Sequence, residues 1–363
     1  MDLTRIRPVF EEQGPFLSID VPVGRAAEDG EAQQEARWTR IRHELERLEL
    51  PSAVVEEVGQ RLTSNTHLPG EVRRTLVATP EGVVFDDVHE GHDAHPEVVD
   101  LAPLPDLSAW IAREDAATPF VLAVVDREGA DVEVYRASSR PVAAHDSVTG
   151  DTVHVRKVPS GGWSHRRYQE TAENAWRHNA QLVVEAVLEA LDAHPAPLVL
   201  VAGEVRARSE VVRAREEGAT TARLVEVESG VRGAGASDDA LWHEVQEHLR
   251  RHTAEADADA LARLDEARGR DRGAAAGADD VLDALAKAQV DRLLLDLGGL
   301  RDADGVRPGE HPGLPLPAGV GDAELPLDRV LVAAAALSAA DLTVLPASLL
   351  PDQRPAALLR WEG

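Results

Sequence analysis

Residues 120–136, "FVLAVVDREGADVEVYR", join an unbroken apolar run to a tight turn and an alternating run. A run apolar at every position suits a strand buried on both faces, and alternation suits a strand with one wet face. The stretch therefore predicts a hairpin whose first strand lies inside a sheet. Downstream, "DTVHVRKV" (151–158) alternates and predicts another strand. "YQETAENAWRHNAQLVVEAVLEAL" (168–191) places Ala172, Ala175, Trp176, Val183, Ala186, Val187, Ala190 and Leu191 on one helical stripe. "PLVLVAG" (197–203), "EVRARSEVVRAREE" (204–217) and "ARLVEVE" (222–228) read as strand, charged helix and strand. This succession predicts a mixed sheet flanked by helices.

The flanking sequence is also α/β in character. Upstream, "PFLSIDVPV" (15–23) predicts a strand. "EAQQEARWTRIRHELERLEL" (31–50) predicts an amphipathic helix with Trp38, Ile41, Leu45 and Leu48 on its stripe, closed by Pro51. "SAVVEEVGQRL" (52–62) follows as a helix with Ser52 as its N-cap. "RRTLVATPEGVVFDDV" (73–88) predicts two strands about a turn at Pro80, Glu81 and Gly82. The acidic, Pro-bearing "DLAPLPDLSAWIARED" (100–115) reads as a connection leading to a domain boundary near residue 118. Downstream, "DDALWHEVQEHLRRHT" (238–253) and "ADALARLDEAR" (258–268) make a long charged helical stretch. "GADDVLDALAKAQVDRLLLDL" (277–297) predicts a helix entering a buried strand, and residues 298–326, rich in Gly and Pro, a long mobile loop. "LDRVLVAAAALSAADLTVLP" (327–346) and "AALLRW" (356–361) supply a last helix and two strands. The expectation is an α/β protein of three domains, at 1–118, 119–243 and 244–363.

Composition limits what such a chain does. There is no cysteine among 363 residues, which removes disulfides, thiolate metal sites and cysteine nucleophiles and suits a reducing cytosol. The longest apolar run, "VLVAAAAL", is far short of the roughly 20 residues of a membrane span, and the N-terminus resembles no signal peptide, so a soluble cytoplasmic protein is expected. Asp and Glu number 65 against 38 Lys and Arg, a formal net charge of -27. That balance opposes general nucleic-acid binding, DNA included, and leaves room only for a local contact.

Three motifs fail on spacing. His89, His92 and His95 match no zinc pattern and lie in a polar stretch, His243 and His248 are five apart and turn about 140° from one another on a helix, and "GVRGAG" (230–235) lacks the dinucleotide spacing. No metal and no cofactor is expected.

The local exception to the acidity is "VPSGGWSHRR" (158–167). Between Thr152 and Gln169 there is no Asp or Glu, while Arg156, Lys157, His165, Arg166 and Arg167 fall there. Gly161 and Gly162 permit close backbone approach, Trp163 offers a π face for an unpaired base, and the next helix presents free amides to an anion. The plainer reading of the same residues is a glycine pair turning the chain, with basic side chains in water.

"SGGWSHRRYQ" resembles the Gly-Gly-Gln loop of the archaeal and eukaryotic class I peptide-chain release factors, with Gly161, Gly162, Ser164, Arg167 and the helix from Tyr168 matching. "VEVESGVRGAGASDDALWHEV" (225–245) is similar to that family's closing strand, Gly-rich turn and exit helix. In "GADDVLDALAKAQVDRLLLD", Gly277, Val281, Ala284, Leu285, Val290, Leu293 and Leu294 resemble the C-terminal domain of release factors and Pelota, with Ala288 and Gln289 in place of the usual Gly-Ala. "AALLRW" resembles its last strand. Together these resemble the bacterial members of the superfamily, including the Balon-type ribosome hibernation factors of actinobacteria. Residues 1–118 do not share the likeness and show no codon-reading motif.

The resemblance implies a ribonuclease H-like central domain and an L7Ae/L30e-like C-terminal three-layer domain. It implies a ribosomal partner, with ribosomal RNA of the A site and peptidyl-transferase centre held by Arg156, Lys157, Gly161, Gly162, Trp163, Ser164, His165, Arg166 and Arg167, and elongation factor Tu as a companion. Where the family has its glutamine, this chain has Trp163, which cannot accept a hydrogen bond. The expected role is thus binding without catalysis. Two alternatives are a peptidyl-tRNA hydrolase or rescue factor with a variant tip, Gln169 standing in for the glutamine, and a protein-binding adaptor on the same scaffold.

Overall fold

The computed structural model describes the chain apart from residues 24–29, 67–71, 91–95, 127, 137–141, 150–161, 216–219, 231–237, 271, 302 and 362–363. It is mixed α/β, with three sheets among the described residues. Two compact units emerge, one of Met1–Ala116 with Glu255–Gly363, the other of Ala117–Ala254.

The first unit begins with α1 (Arg7–Glu11), β1 (Phe16–Pro22), α2 (Gly30–Arg47), α3 (Ser52–Thr63), β2 (Val72–Thr79), β3 (Gly82–Glu90), β4 (Val98–Ala102) and α4 (Ser108–Ala116). The four strands pair antiparallel in the order β3-β2-β1-β4. Alternation puts Leu17, Ile19, Leu76 and Ala78 on one face, where they pack with Ile41 and Leu45 of α2 and Val54, Val58 and Leu62 of α3. The opposite face is also covered: Phe16 and Val77 are buried there, and Asp20 accepts from Arg73 Nε at 2.8 Å and from Thr75 Oγ1 at 2.6 Å, all three of these polar residues buried.

Two expectations change here. Ser52 is the first helical residue of α3; its N-cap is Pro51, and no side chain caps it. The supposed connection at 100–115 carries the end of β4 and most of α4, whose Trp110 and Ile111 are fully buried. Pro103, Pro105 and the surrounding acids mask a periodic apolar set, Leu104, Leu107, Trp110 and Ile111, that serves the core.

The second unit contains β5 (Phe120–Val125), β6 (Gly129–Tyr135), β7 (Val142–Thr149), α5 (Gly162–Ala193), β8 (Leu198–Gly203), α6 (Val205–Arg215), β9 (Arg223–Glu226) and the start of α7 (Asp238–Gly269). Its sheet runs β7-β6-β5-β8-β9, with β5, β8 and β9 parallel and β6 and β7 antiparallel. The predicted hairpin is thus present, and β5 is an inner strand. One face of the sheet, with Val121, Ala123 and Val201, packs on Ala180, Val183 and Val187 of α5 and Val211 of α6. The other, with Phe120, Leu122 and Leu200, packs on Leu241, Val245 and Leu249 of α7. At the end of β8, Gly203 has φ 109°, and a Cβ there would collide with the Val125 backbone. The strand expected at 151–158 lies outside the described residues; β7 precedes it, in sequence not read as a strand.

The first unit resumes with the second half of α7, then β10 (Ala274–Ala276), α8 (Ala278–Ala286), β11 (Val290–Leu295), α9 (Leu297–Leu300), α10 (Leu327–Leu337), β12 (Asp341–Val344) and β13 (Ala356–Leu359). The sheet order is β10-β13-β11-β12, with β11 and β12 parallel. Ala260 and Leu264 of α7 cover one face with Leu294 and Leu358. Val281 and Leu285 of α8 and Val330 and Leu331 of α10 share a buried cluster with Phe10, Val77 and Trp110. Residues 1–116 and 278–357 thereby contribute to one core. The long loop after β11 has little regular structure, but Val306 and Leu325 exchange backbone hydrogen bonds of 2.8 and 2.9 Å across it.

Candidate RNA-binding site

The basic stretch leads into α5. Arg156, Lys157 and Gly161 lie outside the described residues. Gly162, Trp163, Ser164, His165, Arg166 and Arg167 form the backbone of the first turns of α5, so this helix starts six residues before Tyr168. After Gly162 the segment holds no glycine or proline, and nothing in it breaks a helix; its apolar stripe simply begins later, at Ala172.

At 1.5 Å per residue, the 32 residues of α5 make a rod of about 48 Å. Described core contacts of this helix come from Ala180, Val183 and Val187, in its C-terminal half. Gly162 is thus about 27 Å along the axis from Ala180. The helix places the glycine, tryptophan and arginines at its N-terminal end, away from these described contacts. The first turn also leaves backbone N–H groups without helical acceptors, at the positive end of the dipole.

The arginines of α6 do not extend this basic stretch as a free face. Arg208 is buried, donates through Nη1 to the Val227 carbonyl and keeps Nε 3.8 Å from Glu226. Arg213 pairs with Glu210 at 3.3 Å, and Arg206 is exposed. The salt-bridged surface allowed by the interleaved glutamates is the better description, although the side chain of Arg215 lies outside the described residues. Where β9 ends, Glu244 of α7 receives the N–H groups of Glu228 at 2.7 Å and Ser229 at 2.8 Å. Burial is the largest influence and works to raise its pKa, but those two amides, together with the Ser229 hydroxyl and His248, outweigh burial and hold the carboxyl below its ordinary range. Sequence reading missed Arg208 and Glu244 as clamps because each acts on backbone atoms, which leave no mark in residue spacing.

A void of about 20 Å³ lies between α5, α6 and the ends of β5 and β8, lined by Val125, Asp126, Asn179, Glu204, Ala207 and Glu210 among others. It has room for no more than a water. Asp126 closes its own turn, accepting from the N–H groups of Glu128 at 2.7 Å and Gly129 at 2.9 Å. Among the described residues no group of His, Asp or Glu is arranged to hold a metal. His89 faces Arg113, with Nε2 2.8 Å from Nη1, while His92 and His95 lie outside those residues. No helix among them is long and apolar enough to cross a membrane.

Residues 119–270 match the model of the bacterial archaeo-eukaryotic release factor family 2, a span from β5 through α7 that includes the basic stretch. The chain is similar over its length to an uncharacterized protein of Mycobacterium tuberculosis, found in two strains, at 28% identity, covering 98% of this chain and 94% of that protein. Among solved structures it is similar to Saccharomyces cerevisiae Dom34, described as a translation termination-like factor, at 11% identity and a TM-score of 0.44, covering 80% of this chain and 79% of that one. Archaeoglobus fulgidus Pelota matches at 16% identity and a TM-score of 0.34, covering 79% of each chain. A ribosome-bound archaeal Pelota matches at 13% identity and a TM-score of 0.44, covering 99% of this chain and 93% of that one.

Proposed function

We propose that the chain, whose residues 119–270 match the bacterial archaeo-eukaryotic release factor family 2, is a cytoplasmic, ribosome-associated translation factor of the release factor and Pelota superfamily. The observation that carries this reading is the family match across the basic stretch of an acidic chain, whose residues from Gly162 onward begin a long helix. In the finer form of the proposal, the protein occupies the ribosomal A site of idle ribosomes as a hibernation factor, its Gly161-Gly162-Trp163 tip reaching toward the peptidyl-transferase centre. Arg156, Lys157, Arg166 and Arg167 neutralise ribosomal RNA phosphates there, Ser164 and His165 hydrogen-bond to the backbone, and Trp163 stacks on an unpaired base. Elongation factor Tu is the proposed companion.

The tip binds without catalysing. Release of a peptide needs a water aligned on the ester, and an indole has one N–H donor and no acceptor with which to align it. Losing about 4 kcal/mol of positioning slows hydrolysis by roughly a thousandfold.

Ribosome co-sedimentation from stationary-phase extract tests the binding. We expect the protein in the ribosomal pellet, and its loss when Trp163→Ala, Arg166→Glu and Arg167→Glu are combined. Undiminished pelleting of that triple variant would overturn the role of the tip. Release of labelled peptide from stalled ribosomes at saturating protein would replace the hibernation reading with the hydrolase one.

A further inference from the structure

Asp328 lies in the first turn of α10 and is 2% exposed, in the same unit as β4 and the turn that follows it. Its Oδ2 accepts a hydrogen bond of 3.2 Å from Ser108 Oγ, and its Oδ1 is buried without a hydrogen-bond partner. An ionised carboxylate with one bare oxygen is expensive in such a place, and a neutral acid is much less so.

The surrounding charges do not neutralise it. Arg329 Nη1 is given to Asp100 at 2.7 Å and to the Leu104 carbonyl at 3.3 Å. Arg329 Nη2 lies 3.6 Å from Asp106, and Arg301 Nη2 lies 3.3 Å from the same carboxylate. Asp100, Asp106 and Asp328 thus meet two guanidiniums, both committed to the first two. Charge balances when Asp328 holds a proton. Burial is the largest influence on its pKa and raises it, and the charge of Asp106 adds to the rise. The amide and guanidinium of Arg329 and the Ser108 hydroxyl oppose the rise without reversing it.

We propose that Asp328 is a proton-held latch joining residues 98–108 to α10, closed while its carboxyl is neutral and loosened when the carboxyl ionises. The partner elements are covalently distant, some 220 residues apart at Ser108 and Asp328, so the latch governs how the N-terminal sheet edge is held to the C-terminal helix layer. Because the raised pKa belongs to the closed state, the stabilisation is complete below the ordinary aspartate value of about 3.9. It declines as pH rises from there through the raised value and is flat above it.

Hydrogen exchange of the full chain from about pH 4 to about pH 8, corrected for intrinsic exchange chemistry, tests the latch. The opening constant of peptides covering residues 98–108 and α10 should rise about tenfold per pH unit and then level off. Asp328→Asn should abolish that slope while leaving other segments unchanged. Ser108→Ala withdraws the donor to the ionised form and should move the plateau to higher pH, a readout that remains if the asparagine variant fails to fold. Superimposable profiles for wild type and Asp328→Asn, or a plateau unmoved by Ser108→Ala, would overturn the proposal.

Discussion

Asp20 is 4% exposed and Arg73 5%, so their ion pair forms with little help from water. Thr75 satisfies the second carboxylate oxygen at 2.6 Å, which leaves the aspartate fully engaged. Removing the acid alone strands a buried guanidinium, so Asp20→Ala should cost about 3–5 kcal/mol in urea unfolding. Asp20→Asn keeps an oxygen for Thr75 and should cost measurably less. Arg208 is the counterpart in the second unit. Arg208→Met preserves much of the packing but leaves the Val227 carbonyl unpaired, and about 1–3 kcal/mol should be lost. Neither clamp was legible in the sequence. "LSIDVPV" alternates like a strand with one wet face, and nothing in it tells that the face carrying Ser18 and Asp20 is covered.

At the level of elements, the parallel pair β5 and β8 depends on one backbone approach. Gly203 combines a positive φ with a Cβ position already occupied by the Val125 carbonyl, so strain and collision act together. Gly203→Ala should cost about 3 kcal/mol or more. Hydrogen exchange should show lost protection across residues 117–254 while the strands of the other unit keep theirs. Equal protection in both proteins would show that this approach is not needed. The legible elements were those whose apolar run or stripe is long: the β5–β6 hairpin, α8 into β11, and α10 into β12 all appear near their expected places. The missed ones are short or disguised. α1 has five residues and β10 three, β7 shows no clean alternation of apolar and polar residues, and α4 hides behind prolines. The start of α5 was set too late because periodicity locates a buried stripe, whereas a helix extends as far as its backbone allows. Of the proposed tip, only composition and resemblance were legible, since both concern residue identity.

For the whole molecule, the proposed ribosomal role would bring a net charge of -27 to a polyanion. Under that proposal, binding is sustained by the few cations at the tip, while the acidic body adds repulsion that salt relieves. If Arg156, Lys157, Arg166 and Arg167 each neutralise one phosphate, the slope of log affinity against log salt is about -3, taking roughly 0.7 per contact on unpaired RNA. Between roughly 50 and 200 mM monovalent salt, affinity should therefore fall by at most about 60-fold, and by less as screening removes the repulsion. A generally basic factor making about ten contacts would lose several orders of magnitude over the same range. Combining Arg166→Glu and Arg167→Glu should flatten the slope by at least about 1.4, because two contacts are lost and two repulsions are added. Ribosome co-sedimentation across a salt series measures this directly. A slope as steep as -7, or one unchanged in the double variant, would mean that the ribosome is gripped by a surface other than the end of α5. Two surfaces of opposite character on one chain would then be needed, and of the described arginines of α6, Arg208 is withdrawn from any such surface by burial and Arg213 is paired with Glu210, which leaves Arg206 as the exposed one to mutate first.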